Sequence, residues 1–326
     1  MTGSDIKLND RTKLTQAAIL TALAIALCLA TAYIPFIGLL LFIIPVPYAI
    51  ISTMTGHKYA LISAISSFFI LMLTVNFGYA LNLIIISILP GIAVGYKVNK
   101  DNGKEDTNKN FTPIYFGTLA FMLSIIIFFV MAKVIFNMDL LAQLSEMMKT
   151  SIETQFDIIK SANMLPKDGI TSKKMVSFMQ NIIPSMLFVY SIIVSLITYY
   201  LEAFILRRIK KLSYDLPKFS DFYLPGNAII VSLLLYLAIM GLEMLNTGLY
   251  TDIIMLNIQL IFSVMFLLQG ISVSIYYIKE WKKKSPGKIV FAIMAVFLLS
   301  GTMILSFVGM LDSAIDFRKV RNYKST

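Results

Sequence analysis

The stretch "IPFIGLLLFIIPVPYAIISTM", residues 34–54, is apolar throughout and holds Pro35, Pro45 and Pro47. A helix needs about 20 apolar residues to cross a bilayer, so this segment qualifies as a membrane span with two prolines near its middle. Inside a helix each proline removes an N–H donor, which here leaves the carbonyls of Leu41 and Ile43 without their helical partners, a defect of about 3 kcal/mol per proline in a soluble helix. In hydrocarbon such carbonyls must face protein or water. The break at Pro45 and Pro47 is therefore expected to turn into the helix bundle, as a discontinuous helix beside a midplane binding site does. A plain structural kink is the rival reading, because prolines are common in membrane helices.

The rest of the chain has the same character. Hydrophobic residues make up 58% of the 326 positions, which excludes a soluble globule and leaves an all-α, polytopic helical membrane protein. Apolar runs predict nine spans, near 14–34, 36–54, 59–76, 79–96, 112–135, 182–206, 227–247, 253–278 and 289–311. The alternating ten-residue segments of a membrane β-barrel do not occur.

The net charge of +10 is placed at span ends. Lys7, Arg11 and Lys13 precede span 1; Lys97, Lys100, Lys104 and Lys109 follow span 4. Arg207, Arg208, Lys210, Lys211 and Lys218 follow span 6, and Lys279, Lys282, Lys283, Lys284 and Lys288 follow span 8. By the positive-inside rule these segments and the N-terminus are cytoplasmic, in a plasma-membrane protein whose basic loops lie beside anionic lipid and bind no nucleic acid. Nine spans then place the C-terminus outside, where Arg318, Lys319, Arg321 and Lys324 break the rule. A re-entrant last span, a miscounted crossing, or orientation fixed by the upstream charges would each account for that.

The organisation follows from polar interruptions. Residues 1–13 form a cytoplasmic N-terminus, 14–98 a four-span half, and "NKDNGKEDTNKN" at 99–110 a cytoplasmic linker. Residues 111–326 form the second half, with an extracytoplasmic insert at 137–180. In that insert Leu141, Leu144, Met148, Ile152, Phe156 and Ile159 fall on one helical stripe, which predicts an amphipathic surface helix. It ends at "LPKDG", 165–169, and Pro184 sits where the first turn of span 6 tolerates it.

Chemistry is constrained by scarcity. Cys28 is the single cysteine and His57 the single histidine, so no metal centre, catalytic triad or cofactor is expected, and no nucleotide-binding loop occurs. Asp312 and Asp316, followed by Arg318 and Lys319, read more simply as a helix-end charge lattice than as a Mg²⁺ site, which would want a second acidic cluster. The chain is therefore not expected to be an enzyme. Among polar residues within spans, Glu202 is explained by a snorkelling pair with Arg207 and Arg208. Glu243 with Asn246, and Asn76 with Asn82 across an outer turn, are candidates for an outward-facing ligand pocket. Interhelical hydrogen bonding is the alternative for each, and also for Asn257 and Gln259.

Span 1, "TKLTQAAILTALAIALCLATAY", steps Ala18, Ala22, Ala26 and Ala30 four apart, a smooth face for close helix approach. That face meets either a neighbouring helix of the same chain or a partner. With the proline-broken span 2, the "TGHKYALISA" turn at 55–64 and "NLIIISILPGIAVGYKV" at 82–98, the first hundred residues or so resemble the substrate-binding S components of energy-coupling-factor transporters. The whole chain, closing with "GMLDSAIDFRKVRNY" at 309–323, is more similar to the YybS-like family of uncharacterised bacterial membrane proteins. The S-component resemblance implies capture of a small solute, with Ala18, Ala22 and Ala26 docking a separate transmembrane coupling subunit linked to ATPases. The chain has about three spans more than an S component has, and the other reading is a non-transporting membrane scaffold or assembly partner in the cell envelope.

Overall fold

The computed structural model describes residues 10–102, 111–161, 171–212, 217–224, 228–245, 250–284 and 301–320. "LPKDG" and Asn246 lie outside them. Every extended element among the described residues is helical. Seven of these helices are long and apolar enough to cross a membrane, and two shorter apolar ones, Ala228–Met244 and Met303–Ile315, fall where further spans are expected. The chain divides into two compact units, 1–144 with 190–216, and 145–189 with 217–326.

In the first unit α1 (Asp10–Tyr33) stops just before Pro35. Span 2 is two helices, a 3-10 segment Pro35–Phe42 and then α2 (Pro45–Thr55). The two central prolines thus start a helix instead of interrupting one. Pro45 is its first residue and Pro47 its third, positions whose N–H groups have no intrahelical acceptor in any case. The Ile43 carbonyl accepts from Val46 N at 3.0 Å, so the defect expected at that carbonyl is repaired by the tighter turn. Gly56, at φ +93°, makes the reversal into α3 (His57–Thr74), a backbone conformation open chiefly to glycine.

Asn76 caps α4 (Phe77–Leu83), its side-chain oxygen accepting from Tyr79 N at 2.8 Å. A π turn over Ile84–Ile88 leads into α5 (Leu89–Asp101), immediately before Pro90 breaks the ladder. α5 runs through Asp101, which is buried and paired with Lys97 at 3.1 Å, so the polar linker begins later than the 99 expected. α6 (Thr112–Phe136) ends at the left-handed Asn137, and residues 190–208 of α9 (Ile183–Arg208) complete this unit's long helices.

α7 (Leu140–Ser161) is the amphipathic helix of the insert, and Leu144, Met148, Ile152 and Phe156 are its less exposed stripe. Just before it, Asp139 accepts from Ala142 N and from Lys133, both at 3.0 Å. The backbone donor first and the lysine second hold its carboxyl below the usual range.

The second unit packs α10 (Ala228–Met244), α11 (Thr251–Lys284) and α12 (Gly301–Ile315), with α8 (Ser172–Asn181) preceding α9. Ser306 donates to the Ser263 carbonyl at 3.0 Å, Gly309 lies against the Phe266 carbonyl, and Gln269 donates to Asp312 at 2.8 Å. These pairs advance together, so α11 and α12 run parallel. Gly270 and Gly309 make that possible, because a Cβ on either would strike a carbonyl oxygen of the other helix. α12 therefore ends on the side where the lysine-rich end of α11 lies. The parallel pair brings Arg318 and Lys279 to one end of the unit, where both bond Ser220.

Candidate functional site

The polar interior of the first unit is built on α2. Its prolines and everything from Val46 to Thr53 are buried, and α5 meets it along Gly91 and Gly95. A Cβ on Gly91 would come within 2.6 Å of the Pro45 carbonyl, and one on Gly95 would strike the Ala49 carbonyl. This close approach lets two α2 hydroxyls reach across: Ser52 donates to the Ile92 carbonyl at 3.0 Å and Thr53 to the Gly95 carbonyl at 2.9 Å.

Thr53 Oγ1 is also in hydrogen-bond contact with Glu202 Oε1 on α9. Glu202 is 0% exposed, and its other oxygen, Oε2, has no hydrogen-bond partner among the described residues. One turn earlier on the same face, Thr198 is also 0% exposed and its hydroxyl lacks a partner among the described residues. The snorkelling pair expected from sequence is not formed: Arg207 and Arg208 are exposed and neither bonds Glu202. The physical reason is helical phase, since Glu202 lies on the inward face with Thr198 and Leu206 while the two arginines point outward.

The second unit buries Asp312, and there every donor of its arginine partner is used. Asp312 is 1% exposed and Arg318 5% exposed, and they pair at 2.8 Å. Arg318 also donates to the Ser220 carbonyl and to Ser272 Oγ, both at 2.6 Å, and to the Phe222 carbonyl at 2.8 Å. Gln269 completes the Asp312 side and accepts from Leu224 N at 3.2 Å. This corrects the surface charge lattice expected at 312–319: the pair is six residues apart, buried, and ties the C-terminal end to residues 220–224. A guanidinium presents a planar fork of donors, and four acceptors are arranged around it.

The exposed alanines are the third feature. α1 buries Ala17, Thr21, Ala24 and Cys28, whereas Ala18, Ala22 and Ala26 are exposed. A groove of about 450 Å³ between α1 and α3 is edged by Ala18, Ala22, Thr21, Ser63 and Ser66.

Residues 22–313 match the family described as Predicted membrane protein (DUF2232). The chain belongs to this family. It is 23% identical over 311 residues to the "Uncharacterized protein YybS" of Bacillus subtilis (strain 168), covering 94% of this chain and 97% of that one. No solved structure matches it.

Within this family member the ligand candidates are distributed over both units. Asn76 and Asn82 are exposed in the first, and the Asn76 oxygen is occupied by its capping bond. Glu243 is exposed at the end of α10 in the second. Asn257 is a packing residue: its amide donates to the Asn181 and Ile253 carbonyls at 2.7 and 2.8 Å, and its oxygen accepts from Ser185 Oγ at 2.6 Å. Glu202, read from sequence as a bystander, is the in-span carboxyl that the described structure leaves incompletely bonded. The sequence signal that marks it is the three- and four-residue spacing of Ser195, Thr198, Glu202 and Leu206, which puts them on one buried face.

Proposed function

We propose that this membrane protein captures a small solute in the manner of an S component and works with a separate transmembrane coupling subunit and its ATPases. The observation that supports the reading is the face of α1. Ala18, Ala22 and Ala26 are exposed, so the own-chain packing that would otherwise explain a four-residue alanine step does not account for them. In lipid, small residues allow backbones to approach and gain dispersion contact over a long seam, and the α1–α3 groove edged by Ala18 and Ala22 continues that seam.

The test is co-purification of the full chain from its own membrane in mild detergent. Wild type should bring down a membrane subunit together with an ATPase, and Ala22→Leu should lose both while inserting and melting as wild type does. Recovery of envelope proteins without any ATPase would replace this reading with that of a scaffold. A thermal-shift screen of small solutes then identifies the cargo, because a ligand at a hundred times its Kd raises native stability by about 2.7 kcal/mol.

A further inference from the structure

We propose that Glu202 holds an exchangeable proton, and that the cluster of Thr53, Thr198 and Glu202 is a proton-binding site inside the first unit. The inference starts from counting hydrogens. A threonine hydroxyl has one proton to donate and two lone pairs to accept with. Thr53 Oγ1 contacts two acceptor oxygens, the Gly95 carbonyl at 2.9 Å and Glu202 Oε1. If Glu202 were a carboxylate, one of those two contacts would have no hydrogen in it. A proton on Oε1 completes the chain, with Glu202 donating to Thr53 and Thr53 donating to the Gly95 carbonyl.

Charge leads to the same assignment. A carboxylate that is 0% exposed needs a cation or several donors, and Oε2 has neither. The charged and titratable groups of the three helices meeting there are otherwise engaged or turned away. On α2, Tyr48 donates to Ser67 at 2.7 Å. On α5, Lys97 is paired with Asp101 at 3.1 Å, and Tyr96 and Lys100 are exposed. On α9, Arg207 and Arg208 are exposed, Tyr199 lies against Tyr200, and Tyr190 lies against Phe42. None of them hydrogen-bonds to Glu202.

The ligand is a proton and not a metal ion because of space. α5 approaches α2 so closely at Gly95 that even a methyl group would strike the Ala49 carbonyl, whereas a proton needs no cavity. Since Glu202 is fully buried, exchange of that proton requires α9 to part from α2 and α5. Proton occupancy is thereby tied to a helix movement, whether or not a solute is carried.

Infrared difference spectroscopy on the full chain in lipid nanodiscs tests this. At neutral pH, wild type should show the carbonyl band of a buried carboxylic acid, which shifts in deuterated buffer. Glu202→Gln should abolish that band, and Thr53→Val should move it without abolishing it. A spectrum in which Glu202→Gln leaves the band untouched, or in which wild type lacks the band or its deuterium shift, overturns the proposal. If Glu202→Gln does not fold, Thr53→Val decides: an unmoved band rejects the hydrogen-bonded proton and a moved band supports it.

Discussion

Each unit of this protein buries a carboxyl group among apolar helices, Glu202 in the first and Asp312 in the second, and the two are treated in opposite ways. Asp312 is saturated: a guanidinium at 2.8 Å, a glutamine amide at 2.8 Å, and an arginine whose remaining donors end on two carbonyls and a serine hydroxyl. Among the described residues, Glu202 has one hydroxyl on one oxygen and nothing on the other. Both are essentially inaccessible, so burial does not distinguish them; completeness of partners does. A complete set fixes a structure and has nothing left to bind with. An incomplete set is retained in hydrocarbon only where the group is neutral or where its missing partner comes and goes.

The largest effect should come from breaking the complete set. Arg318→Ala strands Asp312 without its cation and removes three other hydrogen bonds, to the Ser220 and Phe222 carbonyls and Ser272 Oγ, and loss of one member of a buried pair costs about 3–5 kcal/mol. Asp312→Asn should approach the same loss, because it leaves the guanidinium charge buried without its counter-charge. Chemical denaturation in detergent micelles, followed by tryptophan fluorescence or circular dichroism, would measure both. A loss under about 1 kcal/mol for either would show that water reaches the pair and that the contrast with Glu202 is one of exposure after all.

Next in size is the packing that brings α11 and α12 together beneath that pair. Gly309→Ala adds one methyl group directly against the Phe266 carbonyl, and overpacking of this kind costs about 1–3 kcal/mol. The helices would have to separate, so Gln269 should also loosen its hold on Asp312. Combining Gly309→Ala with Arg318→Ala should then cost less than the two losses added. Strict additivity would show that the glycine contact and the ion pair are independent.

How much of this was legible from sequence depends on distance along the chain. Apolar runs placed the long spans, the alanine step marked the face of α1, and polar interruptions located the amphipathic α7, because these are local periodicities. The two carboxyl groups were misjudged for a shared reason. Glu202 has Arg207 and Arg208 as sequence neighbours, but its bonding partner, Thr53, is 149 residues away. Asp312 has its basic partner Arg318 only six residues on, but the other atoms that saturate Arg318 come from residues near 220 and 272. Helical phase and tertiary approach chose the partners, and neither is written in local spacing. The prolines of span 2 were legible as a break and misread as a cost, since counting from the ends of an apolar run does not reveal where a second helix begins.

A smaller effect is expected at the outer turn of the first unit. Asn76→Ala removes the cap on α4, a bond of 2.8 Å to Tyr79 N, and cap losses run to about 1 kcal/mol. Asn76→Asp should restore it. If Asn76→Ala instead abolished binding of a solute found by thermal shift while Asn76→Asp did not restore stability, the residue would be a ligand contact and not a cap.

The smallest change in stability should come from Glu202→Gln, although its burial equals that of Asp312 or exceeds it. A carboxamide has nearly the shape of a carboxylic acid and is neutral as the protonated acid is. Its NH₂ group can donate to Thr53 Oγ1 as the acid's proton does, so the Thr53 bond to the Gly95 carbonyl survives. Replacement by a group of like shape and hydrogen bonding is close to neutral, and a loss within about 1 kcal/mol at neutral pH is the expected result. Set beside Asp312→Asn, the same replacement of one carboxyl oxygen by an amide nitrogen should differ in effect by several kcal/mol between the units. Equal losses would mean that both carboxyl groups are ionised in the folded protein.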